Sequence, residues 1–264
     1  ALALKKKGER LAEVEIYDEI VAGPSGGTLE TLFHSLENRV QVKTSLGFDP
    51  MLKVLRPNAK SDSKTLVKNP LFLSYSNQFK KWIGPFLMAA VNGNCVRRSN
   101  AVLNYGDNLK YSEATVYHSF MSGFITVVQL MLLGTSLVIP PVQWFLRKFV
   151  LPAPGQGPSV DEMNDGFLNV NAIAKGSNGT IVNAELYFPT DPGYRDTARM
   201  LVEAGLALAL QEKEITSTTC GGLSTPAIGI GSVLTQRLIN TGCSFHLNLE
   251  AESSSASSTH KKSA

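Results

Sequence analysis

The longest apolar run in the chain extends from Ala114 to Leu146 and contains no aspartate, glutamate, lysine or arginine. Its centre, Phe120–Ile139, is mostly aliphatic and aromatic and is followed by Pro140. A helix of about 20 residues is roughly 30 Å long, which is close to the thickness of a bilayer's hydrocarbon core. The pattern therefore predicts one long hydrophobic helix. It is compatible with a membrane span, with an interfacial or partner-bound helix, and with a buried core helix, and its scattered polar residues favour the second.

Before this run, the polar and apolar positions alternate or recur at helical spacing. Glu13–Val21 alternates and predicts a strand that enters a glycine-rich turn. Leucines then recur every three or four residues, so Thr28 is expected at or near a helix start. Tyr111–Tyr117 predicts a strand that leads directly into the apolar run. Asp49 followed by proline predicts the start of a short helix.

Between these elements the pattern is less regular. Trp82–Val91 contains a Gly-Pro pair and is expected to be extended. Asn92–Asn94 predicts a turn, and Cys95–Tyr105 predicts a helix that carries Arg97 and Arg98.

The second half of the chain predicts a hairpin followed by helices. Phe167–Lys175 and Thr180–Phe188 alternate and are separated by a glycine-containing turn. A helix is expected after Gly193, a second over Ala227–Asn240, and a final strand over Cys243–Leu249. Together these elements predict an α+β fold with a mixed sheet, flanking helices and one long hydrophobic helix.

The same pattern predicts the domain boundaries. Residues 1–249 are expected to form one domain with an apolar insert at about 118–151, and residues 250–264 a polar, disordered tail. Ala1–Gly8 has the lysine-rich last turn and the glycine that end a helix. The chain is therefore expected to begin inside a helix, as a fragment, a processed product or the ordered part of something longer.

Composition narrows the function classes. Of the 264 residues, 43% are apolar and 18% charged, and the net charge of +3 is too small to indicate nucleic-acid binding. The three cysteines have no CxxC spacing, which favours a reducing, intracellular compartment over a disulfide framework. The four histidines are scattered, so neither a metal site nor a catalytic constellation is predicted.

Four residues are candidates for substrate binding. Arg97 and Arg98 are adjacent on a predicted helix, where about 100° separates their directions, so at most one can face a pocket. An arginine there would hold a carboxylate, a phosphate or a lipid head group, although both could simply pack on the surface. Thr28 and Thr225 could offer hydroxyls at helix starts, where they could equally serve only as caps.

The apolar segment is a candidate docking surface. Aromatic residues followed by cations at its end are typical of a membrane–water interface. The predicted occupant is a membrane or lipid surface, a subunit of a membrane complex, or a second copy of the chain. The residues expected to make the contact are Phe120, Phe124, Val128, Leu132, Trp144, Phe145, Arg147 and Lys148.

Several blocks occur in an order that resembles a known family. They are Asn92–Ser99, Phe188–Tyr194, Thr197–Glu203 and Gly221–Ala227. This arrangement resembles the C-terminal region of the saccharopine dehydrogenase-like oxidoreductases. The resemblance implies that the chain is the substrate and oligomerisation half of a membrane-associated oxidoreductase, at a mitochondrial or lipid-droplet surface.

Members of that family begin with a Rossmann domain, which this chain lacks. The resemblance therefore implies that NAD(P) would be held by an upstream half, that this chain binds no cofactor and that alone it is inactive. Two alternatives stay open: a non-catalytic accessory subunit of a membrane complex, and a module that binds lipid surfaces.

Overall fold

A computed structural model describes residues 1–23, 25–37, 64–136, 139–153, 155–215 and 222–250. Within these ranges the chain forms an α+β fold built around one mixed sheet of eight strands. The predicted fold class is confirmed in this respect. Predictions for Asp49 and for the tail beyond Glu250 lie outside the described residues.

The sheet combines parallel and antiparallel pairs. The strand order is β3-β4-β5-β1-β6-β7-β8, and β2 pairs with the first half of β5. The β1–β5 and β2–β5 pairs are parallel, and the other pairs are antiparallel. The strands are β1 (Leu11–Val21), β2 (Lys64–Val67), β3 (Ser74–Ser76), β4 (Lys81–Gly84), β5 (Asn108–Tyr117), β6 (Phe167–Gly176), β7 (Ile181–Phe188) and β8 (Ser244–Glu250).

Helices connect the strands and pack beside the sheet. A single 3-10 turn, Glu212–Glu214, follows the longest helix of the second half. The α-helices of the described residues are α1 (Leu2–Lys6), α2 (Gly26–Glu37), α3 (Ala89–Leu103), α4 (Phe120–Ser136), α5 (Pro140–Phe149), α6 (Val160–Asp165), α7 (Arg195–Leu210), α8 (Pro226–Gly229) and α9 (Gly231–Asn240).

The core lies mainly between one face of the sheet and the helices. Leu4 of α1 is fully buried against Leu109 and Val182, and Val96 of α3 packs on the same cluster. A second cluster lies under α7 and α9, where Phe188 is among the buried residues. Apolar side chains recur every second residue along these strands, because alternate side chains face the same side of a sheet.

The predicted single long helix over Phe120–Ile139 is wrong. α4 ends at Ser136, and α5 begins with proline at its first position. Proline has no amide hydrogen to continue a preceding helix but fits the first turn of a new one. In the described part of the chain, no single helix is long and apolar enough to cross a membrane; the bent pair Phe120–Thr135 and Pro140–Phe149, at 113°, passes by length and composition together.

Two further local predictions are corrected. The turn at Asn92–Asn94 lies inside α3, which begins at Ala89 rather than Cys95. Here the glycine permits close packing, because a Cβ at Gly93 would lie 3.0 Å from the Val67 side chain. The predicted helix over Ala227–Asn240 is divided into α8 and α9, which meet at Ile230.

Candidate functional site

The carboxyl end of β1 meets the turn that joins β7 to α7. Gly166 lies between them, and a Cβ there would be 2.8 Å from the Val21 carbonyl oxygen and 2.7 Å from the Asp191 Cα. The Asp191 amide also donates to the Met163 carbonyl oxygen at 2.9 Å. This packing brings the β1–α2 turn and the β7–α7 turn to the same edge of the sheet.

A cluster of hydroxyl groups, which we call the hydroxyl cluster, forms at this edge from Ser25, Thr28 and Tyr194. The Ser25 amide donates a hydrogen bond to Tyr194 Oη, and Thr28 Oγ1 lies 2.9 Å from the same oxygen. Ser25 Oγ lies 3.3 Å from Thr28 Oγ1. Burial and the Asp191 carboxylate raise the pKa of Tyr194, but the hydrogen bonds from Ser25 and Thr28 outweigh them, so that the pKa lies below its ordinary value.

Two buried carboxylates shape the turn that carries Tyr194. Asp191 Oδ2 accepts a 2.7 Å hydrogen bond from the Tyr194 amide. Asp196 Oδ2 accepts from the Thr190 amide at 3.1 Å and from the Thr190 hydroxyl at 2.8 Å. Arg199 Nη2 lies 3.0 Å from Asp196 Oδ1. Since Asp191 and Asp196 are 1% and 0% exposed, these contacts hold the turn in one conformation.

We expect Asp196→Ala to lower the free energy of unfolding by about 3 kcal/mol, because two donors of Thr190 and the Arg199 guanidinium lose a buried acceptor. Urea unfolding monitored by circular dichroism measures this loss. Asp165→Ala, at an exposed position of α6, is the control and should change stability by less than about 0.5 kcal/mol. A similar stability for both variants would contradict the assigned role of Asp196.

The start of α2 does not fit a phosphate group. The Gly26 amide donates to the Gln156 carbonyl oxygen at 2.9 Å, and the Thr28 amide donates to Ser25 Oγ at 3.3 Å. A Cβ at Gly26 would lie 2.1 Å from the Ala153 carbonyl oxygen. The chain itself therefore occupies the position that an anion takes at other helix N-termini, and the glycine serves close packing.

An open cavity of about 520 Å³ adjoins the hydroxyl cluster. Gly157, on the cavity wall, packs against Ser25, since a Cβ at Gly157 would lie 3.3 Å from Ser25 Cβ. Its wall combines apolar groups with two carboxylates: Val21, Ala22, Gly23, Pro152, Gly157, Pro158, Glu162 and Asp165.

A pair of carboxyl groups is buried on the α3 side of the sheet. Asp18 and Glu113 are 3% and 4% exposed. Tyr111 Oη donates to Glu113 Oε2 at 2.9 Å, and Asn92 Nδ2 donates to Glu113 Oε1 at 2.8 Å. Burial, together with the neighbouring Glu113 carboxylate, raises the pKa of Asp18 to about 8. The pair therefore keeps a proton near neutral pH.

The four predicted substrate-binding residues do not form one site. Thr28 belongs to the hydroxyl cluster, whereas Thr225 Oγ1 lies 2.8 Å from Ser99 Oγ of α3. Arg97 is buried and donates to Asn94 Oδ1 at 2.7 Å. Arg98 is partly exposed, and its buried Nη1 has no hydrogen-bond partner among the described residues. No observation tests substrate binding by these residues, which stays a prediction.

Helices α4 and α5 expose most of the predicted docking surface. The Lys148 ammonium lies 5.0 Å from the centre of the Trp144 ring, and Arg147 pairs with Glu30. Val128 is half-buried rather than exposed. Large exposed residues of the predicted set are Phe120, Phe124, Leu132, Trp144 and Phe145. What covers this surface is not shown, and a membrane, a partner or a second copy stays a prediction.

Sequence reasoning missed Tyr194, Ser25 and the carboxyl pair as groups with acid–base chemistry. The sequence did contain a signal for the carboxyl pair. Asp18 is a charged residue on the otherwise apolar face of an alternating strand, the face that also carries Ile16. No comparable signal marks Tyr194. In the part of the chain that the structure describes, no group of three or more His, Cys, Asp or Glu side chains could hold a metal ion.

A partly exposed phenol held by hydroxyl and amide groups beside a cavity defines a candidate acid–base site. Comparisons with known proteins show what the chain is similar to. The chain is 34% identical over 172 residues to a candidate trans-acting enoyl reductase of Mycobacterium tuberculosis, covering 62% of this chain and 41% of the relative. It is 31% identical over 170 residues to the trans-acting enoyl reductase of Mycobacterium bovis BCG (61% and 40%), and 30% over 170 residues to that of Mycobacterium ulcerans (61% and 40%).

The chain thus spans about two fifths of the length of the curated relatives that it matches. No family model matches it, and no solved structure does.

These findings correct the predicted identity. Membership of the saccharopine dehydrogenase-like family is wrong, because no family model matches and the relatives are named trans-acting enoyl reductases. The predicted function, a membrane-associated oxidoreductase of that family, is wrong for the same reason. The accessory-subunit and lipid-surface alternatives are not supported either. The predicted lipid-droplet or mitochondrial location depended on the same resemblance and is no longer supported. An intracellular location is not tested and stays a prediction.

Proposed function

We propose that this chain supplies the substrate-binding part of a reductase that saturates the carbon–carbon double bond of an enoyl group. The observation that carries the proposal is the 34% identity over 172 residues to a candidate trans-acting enoyl reductase. The hydroxyl cluster supports it, because this reduction needs a proton donor at a place that substrate can reach. Tyr194 is partly exposed, and a cavity of about 520 Å³ lies next to the cluster.

Saturation of an enoyl group requires a hydride as well as a proton. A reduced nicotinamide is the usual hydride source, and the protein's task is to hold and orient it against the substrate. The start of α2 is closed to a pyrophosphate by Ala153 and Gln156. We therefore assign NAD(P)H binding to a part of the protein outside this chain, which spans only about two fifths of its relatives.

The test is an assay of the full-length protein that contains this chain, with NADPH and trans-2-decenoyl-coenzyme A. We expect oxidation of NADPH that depends on the enoyl thioester, with the saturated thioester identified by mass spectrometry. The already saturated decanoyl-coenzyme A is the matched control and should cause no oxidation. If neither NADPH nor NADH is oxidised with short-, medium- or long-chain enoyl thioesters, the proposed function is wrong.

A further inference from the structure

We propose that Tyr194 is the catalytic acid that protonates the α-carbon of the enoyl substrate, and that Thr28 and Ser25 position it. This inference rests on the proposed function. The sequence predicted Thr28 as a substrate-binding hydroxyl but did not connect it to Tyr194. The geometry of the hydroxyl cluster indicates a proton donor rather than a helix cap.

The bond from the Ser25 amide to Tyr194 Oη has a fixed direction, and the hydroxyl contacts around it can run either way. The Ser25 amide can only donate, so the phenol oxygen accepts that bond. Thr28 Oγ1, at 2.9 Å, can donate to the same oxygen, while its own oxygen accepts from Ser25 Oγ, 3.3 Å away. With both bonds received, the phenolic hydrogen of Tyr194 is free to point to a substrate.

The same two donors stabilise the anion that proton transfer leaves behind. A phenolate that accepts two hydrogen bonds is favoured over one in water, in the manner of an oxyanion hole. The charged group that faces Tyr194 is the Asp191 carboxylate, which opposes the phenolate, and the hydrogen bonds from Ser25 and Thr28 outweigh it. Because Asp191 also accepts from the Tyr194 amide, it holds the residue in place.

The proposed step is balanced. A reduced nicotinamide held outside this chain would supply the hydride for the β-carbon, and the electron pair of the double bond would then form an enolate. The Tyr194 oxygen–hydrogen bond then breaks, and its proton bonds to the α-carbon, leaving the phenolate. Water returns a proton to the phenolate after the saturated product leaves.

The buried carboxyl pair does not compete for this role. Asp18 and Glu113 are only 3% and 4% exposed, and Tyr111 and Asn92 already occupy the Glu113 oxygens. Tyr194 is partly exposed at the sheet edge beside the cavity. A proton donor must come within hydrogen-bond distance of the carbon's developing charge, which favours the tyrosine.

The first experiment replaces Tyr194 by phenylalanine in the full-length protein. With NADPH and trans-2-decenoyl-coenzyme A, we expect kcat to fall by about 100-fold or more, because a general acid contributes that much, while KM changes by less than about threefold. Tyr187→Phe, at an exposed phenol on β7, is the matched control and should keep its kcat. In deuterium oxide, wild type should label the α-carbon in one configuration, and the residual reaction of Tyr194→Phe in both.

The second experiment needs no catalysis. An ultraviolet pH titration of wild type minus Tyr194→Phe should show a phenol that ionises below the ordinary pKa of tyrosine. Thr28→Val keeps the shape of the side chain and removes the donor, so it should raise that pKa and lower kcat. This variant also serves if Tyr194→Phe proves unstable in a thermal melt.

The outcomes separate the two proposals. If the wild-type protein reduces the enoyl thioester and a folded Tyr194→Phe keeps its kcat within about threefold, the role of Tyr194 is wrong and the proposed function stands. A single configuration at the α-carbon in that variant would overturn the role as well. If the wild-type protein reduces no enoyl thioester, the proposed function and this inference are both wrong.

Discussion

Alanine at Gly106 is expected to lower the free energy of unfolding by about 3 kcal/mol or more, since the interior cannot relax around it. A Cβ at this position would lie 1.9 Å from the Leu11 carbonyl oxygen and 3.0 Å from its carbon, both backbone atoms of β1. The buried Asn100 holds Gly106 in place: its side chain accepts from the Gly106 amide at 3.0 Å and donates to the carbonyl at 2.9 Å. Asn100 also donates to Thr65 at 2.9 Å, so moving Gly106 would disturb β2.

Urea unfolding of the two proteins measures this effect. Gly205→Ala is the matched control, because it lies inside α7 and no described residue outside its own stretch of helix comes within 4 Å of the new Cβ. There the substitution removes backbone entropy from the unfolded chain and should stabilise the protein by up to about 1 kcal/mol. If Gly106→Ala and Gly205→Ala unfold at the same urea concentration, the close contact between Gly106 and β1 is wrong.

Asp18→Asn is expected to remove a pH dependence of stability. In the folded protein burial and Glu113 raise the pKa of Asp18 to about 8, from 3.8 in an unfolded chain. Between these values the folded state keeps a proton that the unfolded state has released. The contribution of Asp18 to the free energy of unfolding is therefore fully present below pH 3.8. It is lost as the pH rises to about 8, at up to about 1.4 kcal/mol per pH unit.

The measurement is the free energy of unfolding of wild type and Asp18→Asn at a series of pH values between these limits. The amide is neutral at every pH, so the variant should lose the slope and exceed wild type in stability at pH 8. Glu113→Gln removes the neighbouring negative charge and should move the slope towards acid. An unchanged slope in Asp18→Asn would show that Asp18 does not carry the proton.

Local patterns predicted β1, β5, β6, β7 and β8, but not β2. The hairpin of β6 and β7, and strands β1 and β5, were recognised from alternation. One face of each of these strands packs against the core, so every second residue tends to be apolar, and this alternation is visible in the sequence. Helices α2 and α7 were also recognised, because apolar side chains that face one side of a helix recur at a period of 3.6 residues.

Other elements were mispredicted where a residue has two uses. The Asn-Gly-Asn sequence at Asn92 usually marks a turn, but in α3 the glycine lies against Val67 and Asn92 binds Glu113. The apolar run was expected to be one helix up to Ile139, but α4 ends at Ser136, before the proline that begins α5. Propensity is a weak guide wherever tertiary contacts compensate its cost.

By itself the sequence determined the α+β class, the strands with an alternating pattern and the position of Thr28 near a helix start, because these depend on neighbours along the chain. Only the tertiary structure decided what Thr28 does. Its partner Tyr194 is 166 positions away, and it arrives there because Gly166 lets two turns pack together. Asp18 and Glu113 likewise meet only because β1 and β5 pair in parallel. Local spacing cannot record such contacts, since they depend on how distant segments pack.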